Sequence, residues 1–479
     1  MNKLFILSII LTIILAIFLS FLFFGSEDDL KIPEKGYFGT GEPKKDDTNI
    51  KKFKIEFSSK EINKLKERLE NSRIGHFELE NINDWSYGIK LNILKEWSNY
   101  WKEKFDFNKT QENLNKYPQY LTQIEGIMIH FLHVKPPKPT AYRSIIPLIL
   151  VHGWPGNVYE FYKMIPMLID PKSHSLDFDI AFEVIAPSIP GYGFSEQPHK
   201  KGNYLILNKE NSFSCLTTTT FIDLTCFDFI ATARIFNHLM TERLGFKQYM
   251  AQGGDWGSLV VSNIGRYYST NLIGIHINMA SNSLFDSFKH FVLALIGSYK
   301  PEWVFSEHEH FKNFSIKAKY LGLLEESGYM HIQATKPDTV GVGLNDSPIG
   351  LLAYILEKFS TWTNPSFRSL PDGGILKKYS RDDILTIISI YWFQGNILSS
   401  QRYYKENFSN KNIFNSKYIN IPTGYAAFPY DLGGITPKEL IQLNYNIKQM
   451  TIFSDGGHFA AFEMPKELAK DILNFAMKF

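Results

Sequence analysis

Residues 248 to 260 read QYMAQGGDWGSLV, and this stretch decides how the rest of the chain is interpreted. An apolar run leads into the pattern G-x-D-x-G formed by Gly253, Asp255 and Gly257, and a second apolar stretch follows. This order predicts a strand, a very sharp turn and a helix, with glycines where backbones pass closely at a strained turn. The Asp255 carboxylate would then sit at a helix N-terminus, where the macrodipole favours its ionised form by roughly 0.3 to 2 kcal/mol. Taken alone, the pattern also fits an ordinary Gly/Asp turn, so its partners elsewhere in the chain matter.

The composition is that of a globular protein with an aromatic-rich interior. The 479 residues are 44% hydrophobic, 21% charged and 15% aromatic. A net charge of +2 without a basic stripe argues against nucleic acid as the main partner. The two cysteines, Cys215 and Cys226, allow no disulfide framework or Cys-based zinc site beyond that pair, and the scattered histidines form no HExxH motif.

Residues 4 to 24 form an uncharged apolar stretch. At about 1.5 Å per residue, a helix of this length spans a hydrocarbon core of about 30 Å. A cleaved signal peptide is the alternative, but its apolar region has about 7 to 15 residues and ends at a small-residue cleavage site, which does not follow here. We therefore predict a membrane anchor over residues 1–25 that contacts membrane lipid, with its orientation open, and a polar linker over residues 26–50.

From about residue 143 onward, predicted strands alternate with predicted helices. Strands are expected at 145–151, 181–187, immediately before Asp255, at 272–280, 417–423 and 448–453, and helices around 157–168, 227–244 and 465–478. Such alternation predicts an α/β fold with a mainly parallel sheet and helices on both faces.

The remaining segments complete the predicted domain organisation. An N-terminal arm covers 51–142, with a helix at 58–71, a helical aromatic pattern at 84–104 and paired strands at 118–134. The core covers 143–282 and 413–479, and the mostly helical, aromatic-rich segment 283–412 is predicted to be a cap over the carboxyl ends of the strands, where such sheets bind ligands. Residues 203–225 contain four consecutive threonines, fit no element of the core, and are predicted to be an insertion that loops out.

The chemistry of a carboxylate nucleophile calls for two partners. The nucleophile forms an ester, and hydrolysis of that ester needs a general base, normally histidine, and an acid that orients it. SDGGHFAAFEMP places His458 after the last predicted strand, and IPTGYAAFPYDL places Asp431 after the preceding one. Nucleophile, acid, histidine is the order found in α/β-hydrolases. The oxyanion hole of that fold would use the backbone N–H of Trp256 and an N–H from HGWPG, for which we choose Trp154.

Together these motifs resemble the epoxide hydrolases, most closely the microsomal branch that includes xenobiotic and insect juvenile hormone hydrolases. The resemblance rests on HGWPG, PGYGFS, GGDWG, SGYMHIQATKPDTVGVGLNDSPIGLLAYILEKFSTWTN, SSQRYYKEN, PTGYAAFP and GGHFAAFEMP, and it covers nearly the whole chain beyond residue 51 except 203–225. It implies an α/β-hydrolase fold with a cap, and conversion of lipophilic epoxides to vicinal diols without a metal or organic cofactor. It also implies a place in the endoplasmic reticulum or microsomal membrane and a part in detoxifying aromatic hydrocarbons.

The resemblance implies a role for each matching residue. Asp255 corresponds to the nucleophile that opens the epoxide, and Tyr329 and Tyr404 to the cap tyrosines that hold the epoxide oxygen and give it a proton. His458 corresponds to the base that activates water, and Asp431 to the acid that orients it. Many microsomal members have glutamate at the position of Asp431, and the aspartate of this chain has the shorter side chain.

Two other functions share part of this pattern. A haloalkane dehalogenase would share Asp255, the histidine and HGWPG, but it holds a leaving halide with Trp or Asn N–H groups, and the cap sequence argues against it. A catalytically impaired, membrane-bound hydrolase-like binding protein is supported only by the insertion at 203–225. The full set of nucleophile, base, acid and two tyrosines argues against that function.

Overall fold

The computed structural model describes residues 32–75, 78–138, 142–200, 227–280, 287–409 and 417–479. The predicted anchor at 4–24, the predicted insertion at 203–225 and both cysteines lie outside these ranges. What the sequence predicts for those segments therefore stays a prediction.

One twisted sheet of nine strands forms the centre of the described structure. The strands are β1 (Lys51–Phe53), β2 (Gln119–Ile124), β3 (Ile127–Val134), β4 (Ser144–Val151), β5 (Ile180–Pro187), β6 (Tyr249–Gly253), β7 (Leu272–Ile277), β8 (Ile419–Ala427) and β9 (Tyr445–Ile452). They lie in the order β1-β2-β3-β5-β4-β6-β7-β8-β9. All pairings from β5 to β9 are parallel, whereas β1, β2 and β3 are joined to that block by antiparallel pairings. The mainly parallel sheet predicted from the alternation is thus confirmed.

The described helices are distributed over the arm, the core and the predicted cap. In chain order they are α1 (Ser59–Glu70), α2 (Leu91–Glu103), α3 (Phe107–Leu114), α4 (Ile165–Ile169), α5 (Phe229–His238), α6 (Trp256–Tyr267), α7 (Phe288–Tyr299), α8 (Ile316–Glu326), α9 (Gly328–Thr335), α10 (Pro337–Asp346), α11 (Pro348–Thr361), α12 (Arg381–Gln394), α13 (Ile397–Ser409), α14 (Lys438–Ile441), α15 (Ala460–Glu463) and α16 (Pro465–Ala476). The first of these begins at a capping box, in which Ser58 and Glu61 each accept a hydrogen bond from the other's backbone N–H.

Helices cover both faces of the sheet, as predicted. A Cβ added to Gly274 in β7 would lie 3.1 Å from the ring of Phe475, which belongs to α16. A Cβ added to Gly265 in α6 would lie 3.3 Å from Ile275, the next residue of β7. Because successive residues of a strand point to opposite faces, α16 and α6 must pack on opposite sides of the sheet.

The hairpin predicted at 118–134 forms with its turn at Glu125 and Gly126. Both residues have positive φ, 53° and 85°, which is the backbone that a tight two-residue hairpin requires. The Asp46 carboxylate accepts both of their N–H groups at 2.8 Å. A buried ion pair between Glu125 and Arg234 of α5, at 2.6 and 2.7 Å, fastens the turn to the core.

Three local expectations were wrong. The helix expected around 157–168 is instead a 3-10 turn, Val158–Phe161, followed by the short α4. Pro166 explains the break, since it has no N–H and its ring would clash with the carbonyl four residues earlier in a continuous helix. The helical pattern at 84–104 starts only at Leu91, and the strand expected to reach residue 280 ends at Ile277.

A search of the described helices for membrane spans finds no single helix that is long and apolar enough. The bent pair α10 and α11, which meet at 114°, meets the length and composition requirement together. Most residues of α11 are buried in the protein core.

Candidate active site

Asp255 lies at the sharp turn between β6 and α6, with φ 49° and ψ −129°. This strained backbone is tolerated because its neighbours are packed too tightly to move. A Cβ added to Gly257 would lie 2.0 Å from the Val151 carbonyl oxygen, and one added to Gly253 would lie 2.4 Å from the backbone of Gly257. The two glycines of G-x-D-x-G are therefore required by close backbone packing, and the strand–turn–helix prediction is confirmed.

The structure brings His458 and Asp431 to this turn from the ends of two other parallel strands. Asp431 follows β8 and His458 follows β9, and a bridge between Tyr430 and Gly457 holds the two loops side by side. The Nδ1 of His458 lies 2.7 Å from Asp431 Oδ1, and its Nε2 lies 3.4 Å from Asp255 Oδ2. The histidine thus lies between the two carboxylates in the order predicted from the sequence.

These two carboxylates control the charge of the imidazole. Burial by itself lowers the pKa of His458, but the charges of Asp431 and Asp255 and the hydrogen bonds to them outweigh it, so the pKa is raised well above its usual range. The two aspartates therefore favour the charged form of the His458 imidazole in the free protein. Nδ1–H donates to Asp431, which leaves Nε2 facing the nucleophile.

The two oxygens of Asp255 have different surroundings. Oδ1 accepts the backbone N–H of Trp154 at 2.7 Å, as expected for one donor of an oxyanion hole, whereas Oδ2 faces His458. Trp256 begins α6 directly after the nucleophile, and its N–H as second donor stays a prediction. This arrangement leaves Oδ2 to attack an electrophile, after which Oδ1 becomes the carbonyl oxygen of the ester.

Tyr329 and Tyr404 each pack against a tryptophan that adjoins the nucleophile. Tyr329, from α9, stacks on Trp154 with ring centroids 5.3 Å apart, and Tyr404, from α13, meets Trp256 edge-on at 4.7 Å. The two tyrosine rings lie 5.9 Å apart and nearly perpendicular. Burial, together with nearby charge including that of Asp255, raises the pKa of both phenols, so each keeps its proton.

Sequence reasoning missed Glu463, which holds the histidine loop from both sides. Its Oε2 accepts the N–H of Gly457 and its Oε1 accepts the N–H of Phe459, each at 2.9 Å. The N–H of His458 itself donates to the Trp362 carbonyl at 2.9 Å. All three backbone N–H groups around the imidazole are therefore fixed. The position of Glu463 five residues after the histidine in GGHFAAFEMP was the only signal in the sequence.

Glu160 is a second carboxyl group that sequence reasoning missed. It lines the same pocket as Asp255 and His458 and is 8% exposed. Burial, reinforced by the charge of Asp255 and opposed by that of His458, raises the pKa of Glu160 to about 8. The signal in the sequence would have been an acid five residues after Pro155 in HGWPGNVYE, inside the segment that was expected to be a helix.

Among the described residues, no group of three or more His, Cys, Asp or Glu side chains is arranged to hold a metal ion. The groups that surround Asp255 provide what acyl-ester chemistry needs. They supply a nucleophilic oxygen, an oxyanion donor, a histidine with an orienting acid, and two protonated phenols.

The fold and this site define an α/β-hydrolase with an aspartate at the nucleophile position. Family models agree, with "Epoxide hydrolase N terminus" matching residues 50–161 and "alpha/beta hydrolase fold" matching residues 146–425. The chain is 43% identical to rabbit (Oryctolagus cuniculus) epoxide hydrolase 1 over 468 residues, which is 96% of each chain. This chain belongs to the epoxide hydrolase family.

Solved structures agree with that assignment. The crystal structure of juvenile hormone epoxide hydrolase from the silkworm Bombyx mori matches 93% of this chain and 99% of its own, with a TM-score of 0.83 and 38% identity. The epoxide hydrolase of Aspergillus niger matches 94% of this chain and 98% of its own, with a TM-score of 0.66 and 25% identity.

Proposed function

We propose that this chain converts lipophilic epoxides to vicinal diols in two steps at Asp255. One observation carries the proposal: Oδ2 of the nucleophile faces His458 while Oδ1 is held by the Trp154 N–H. A carboxylate held in this way can attack a strained ring, and its ester is then positioned for hydrolysis by the same histidine.

In the first step, Asp255 Oδ2 attacks an epoxide carbon and the carbon–oxygen bond of the ring breaks. The departing oxygen becomes an alkoxide, which needs a proton or strong hydrogen bonds at once. The phenols of Tyr329 and Tyr404 supply them, and general acid help of this kind is worth about a hundredfold or more. Because burial keeps both phenols protonated, they are available as donors throughout the neutral pH range.

In the second step, water attacks the ester carbonyl of Asp255 while His458 removes its proton. The tetrahedral oxyanion forms at Oδ1, where the Trp154 N–H already points. Asp431 stabilises the imidazolium that forms. The proton then passes to the leaving glycol oxygen, so the diol departs. Asp255 is left as a carboxylic acid, and it becomes a carboxylate again when its proton replaces the one that the phenols gave to the epoxide oxygen.

The surroundings of the site favour an apolar, membrane-soluble epoxide. The ring of Trp154 meets those of Tyr329, Tyr354, Trp362 and Tyr404 at centroid distances between 5.3 and 6.0 Å. An uncharged stretch at residues 4–24 would keep the enzyme on the membrane into which such substrates partition. We propose a microsomal or endoplasmic reticulum location and a part in detoxifying aromatic hydrocarbons on the same grounds.

The test is turnover of a styrene-type or cis-disubstituted lipophilic epoxide in detergent, with the wild type beside Asp255→Ala. We expect diol from the wild type and none from the variant. Single turnover in water labelled with oxygen-18 should place the label in Asp255 and leave the first diol unlabelled, because the diol takes its second oxygen from the carboxylate. Label in the first diol would mean direct attack by water and would refute the ester mechanism.

If the wild type makes no diol from a broad panel of epoxides, the assay is repeated with residues 203–225 deleted. Activity recovered only then would show that this segment disables an otherwise complete site. Continued inactivity would favour a non-catalytic protein, and release of halide from a haloalkane would favour a dehalogenase. Membrane attachment is tested separately by removing residues 1–25 and measuring the fraction that sediments with membranes after alkaline washing.

A further inference from the structure

A small pocket lies beside the nucleophile, among the loops after β4, β6 and β9. Its lining includes Asp255, His458, Glu160, Gln252 and Asn278, together with neighbouring residues of the loops that carry them. The cavity volume is about 20 Å³, which is room for one or two water molecules. We propose that this pocket holds the water that hydrolyses the Asp255 ester, and that Glu160 is the residue that orients it. The proposal rests on the ester mechanism given above.

The pocket provides the polar partners that such a water needs. A buried water makes about three hydrogen bonds to groups that would otherwise lack a partner. Gln252 is 1% exposed, and its Oε1 has no hydrogen-bond partner among the described residues. With His458 Nε2 as the proton acceptor, Glu160 and Gln252 complete a set of three.

The chain makes room for the Glu160 carboxyl group at Gly156. A Cβ added there would lie 1.1 Å from Glu160 Oε1 and 2.3 Å from its Cδ, and the three atoms nearest to it would all belong to this side chain. The backbone of Gly156 lies outside the left-handed region that favours glycine, so its conformation does not require a glycine. The space taken by the Glu160 carboxyl group does.

Glu160 is suited to orienting water without competing with His458 for its proton. Its pKa of about 8 makes it a neutral acid at pH 7, with one oxygen to accept a hydrogen bond and one O–H to donate. An ionised carboxylate here would also repel the developing oxyanion at Asp255.

The hydrolytic step balances with Glu160 unchanged. The water oxygen forms a bond to Asp255 Cγ, and one of its protons passes to His458 Nε2. The other hydrogen is accepted by Gln252 Oε1, while Glu160 donates its O–H to the water oxygen and keeps its own proton. Collapse of the tetrahedral intermediate breaks the bond between Cγ and the glycol oxygen, and His458 returns the proton to that oxygen. The second water hydrogen stays on the new carboxyl oxygen of Asp255. Asp255 becomes a carboxylate again by giving up that proton, which replaces the one that the cap tyrosines gave to the epoxide oxygen.

The experiment separates the two steps by stopped-flow single turnover with the lipophilic epoxide. Fluorescence of the tryptophans beside Asp255 reports ester formation and decay. Glu160→Ala should slow ester decay by about tenfold to a hundredfold, the value of one or two hydrogen bonds, while ester formation stays within about twofold. Glu160→Gln keeps a neutral donor and acceptor and should stay near the wild-type rate. The control is Glu183→Ala, which removes a half-buried carboxylate of β5 that pairs with His133 away from the site and should change neither step.

Gly156→Ala provides a second route that leaves Glu160 in the sequence. Its new methyl group displaces the carboxyl group and should slow ester decay as Glu160→Ala does. In the Glu160→Ala background it should add little, because the contact that it disturbs is gone. Additive losses would mean that Gly156 acts independently of Glu160 and would overturn this part of the reasoning.

The results distinguish a water-orienting role of Glu160 from a purely structural one. Slow ester decay in Glu160→Ala with normal decay in Glu160→Gln supports the proposal. Equal losses in both steps, or no loss in either, would show that Glu160 is only part of the core. If Glu160→Ala does not fold, the Gly156→Ala measurement decides. If the wild type forms no ester, the proposed function fails first and the proposal for Glu160 fails with it.

Discussion

Replacement of Asp431 by asparagine tests how much of the catalysis depends on charge and how much on orientation. Asp431 Oδ1 accepts two hydrogen bonds at 2.7 Å, one from His458 Nδ1–H and one from the Leu432 N–H. Because both groups are donors, an asparagine will place its carbonyl oxygen at the Oδ1 position. The tautomer of His458 is then preserved, and only the negative charge is lost.

The size of the effect follows from that geometry. Loss of a buried charge-assisted hydrogen bond costs about 1.5 to 3 kcal/mol, which corresponds to roughly a tenfold to 150-fold slower ester hydrolysis. In the serine-protease triad, the same substitution costs about ten-thousandfold because the wrong tautomer forms. Ring opening does not need a base, so its rate should change little and the ester should accumulate.

The assay is the same single-turnover separation of ester formation and decay. His458 without the Asp431 charge has a lower pKa, so the acid limb of ester decay should move to lower pH. Asp471→Asn is the matched control, since it weakens another buried Asp–His pair, with His276 at 2.9 Å, that lies away from the site. A loss of a thousandfold or more, or equal slowing of both steps, would refute the view that the Leu432 N–H fixes the tautomer.

Four further outcomes are expected. Tyr329→Phe and Tyr404→Phe should each slow ester formation by about tenfold to a hundredfold without slowing ester decay, since phenols assist only the alkoxide; slower decay alone would contradict that role. Glu463→Ala should slow ester decay and lower the thermal midpoint, because it frees two buried N–H groups at a cost of about 1 to 3 kcal/mol each; an unchanged decay rate would show that the loop holds its shape without it. The pKa of Glu160 is raised to about 8 from 4.5, so the folded state keeps a proton that the unfolded chain releases, and stability falls as pH rises across that window. Glu160→Gln removes this effect, and its stability relative to wild type should therefore increase from about pH 5 to about pH 9 by up to roughly 4 kcal/mol; a constant difference in denaturant titrations would contradict the raised pKa. Gly257→Ala should yield little folded protein, because its Cβ would meet the Val151 carbonyl oxygen at 2.0 Å, and a normal thermal midpoint would show that the elbow can relax.

The sequence allowed the elbow and the catalytic order to be predicted because both depend on local rules. Glycines two residues on either side of Asp255 signal a strained turn, and each partner follows its own strand in a known order. Parallel strands place their carboxyl ends at one edge of the sheet, so Asp431 and His458 had to approach the nucleophile. Tyr329 and Tyr404 have no such local signal in a chain with 25 tyrosines, and only the family resemblance singled them out.

The residues that were missed depend on packing between distant segments. Glu160 was placed in an expected helix, but it lies in a 3-10 turn, and its carboxyl group fits into the pocket because Gly156 leaves space for it. The two backbone partners of Glu463 are set by how the loop after β9 folds back on itself. Hydrophobic periodicity carries information about which face of an element is buried, and it carries none about where a loop carboxylate points.

The position of His458 between two carboxylates gives the proposed reaction an order. In the free enzyme the charges of Asp431 and Asp255 raise the pKa of His458, which favours its charged form over the neutral form that acts as a base. Ring opening converts Asp255 into a neutral ester and removes one of those charges. The pKa of His458 must then fall, because burial still opposes its charged form. The imidazole therefore becomes a better base once there is an ester to hydrolyse.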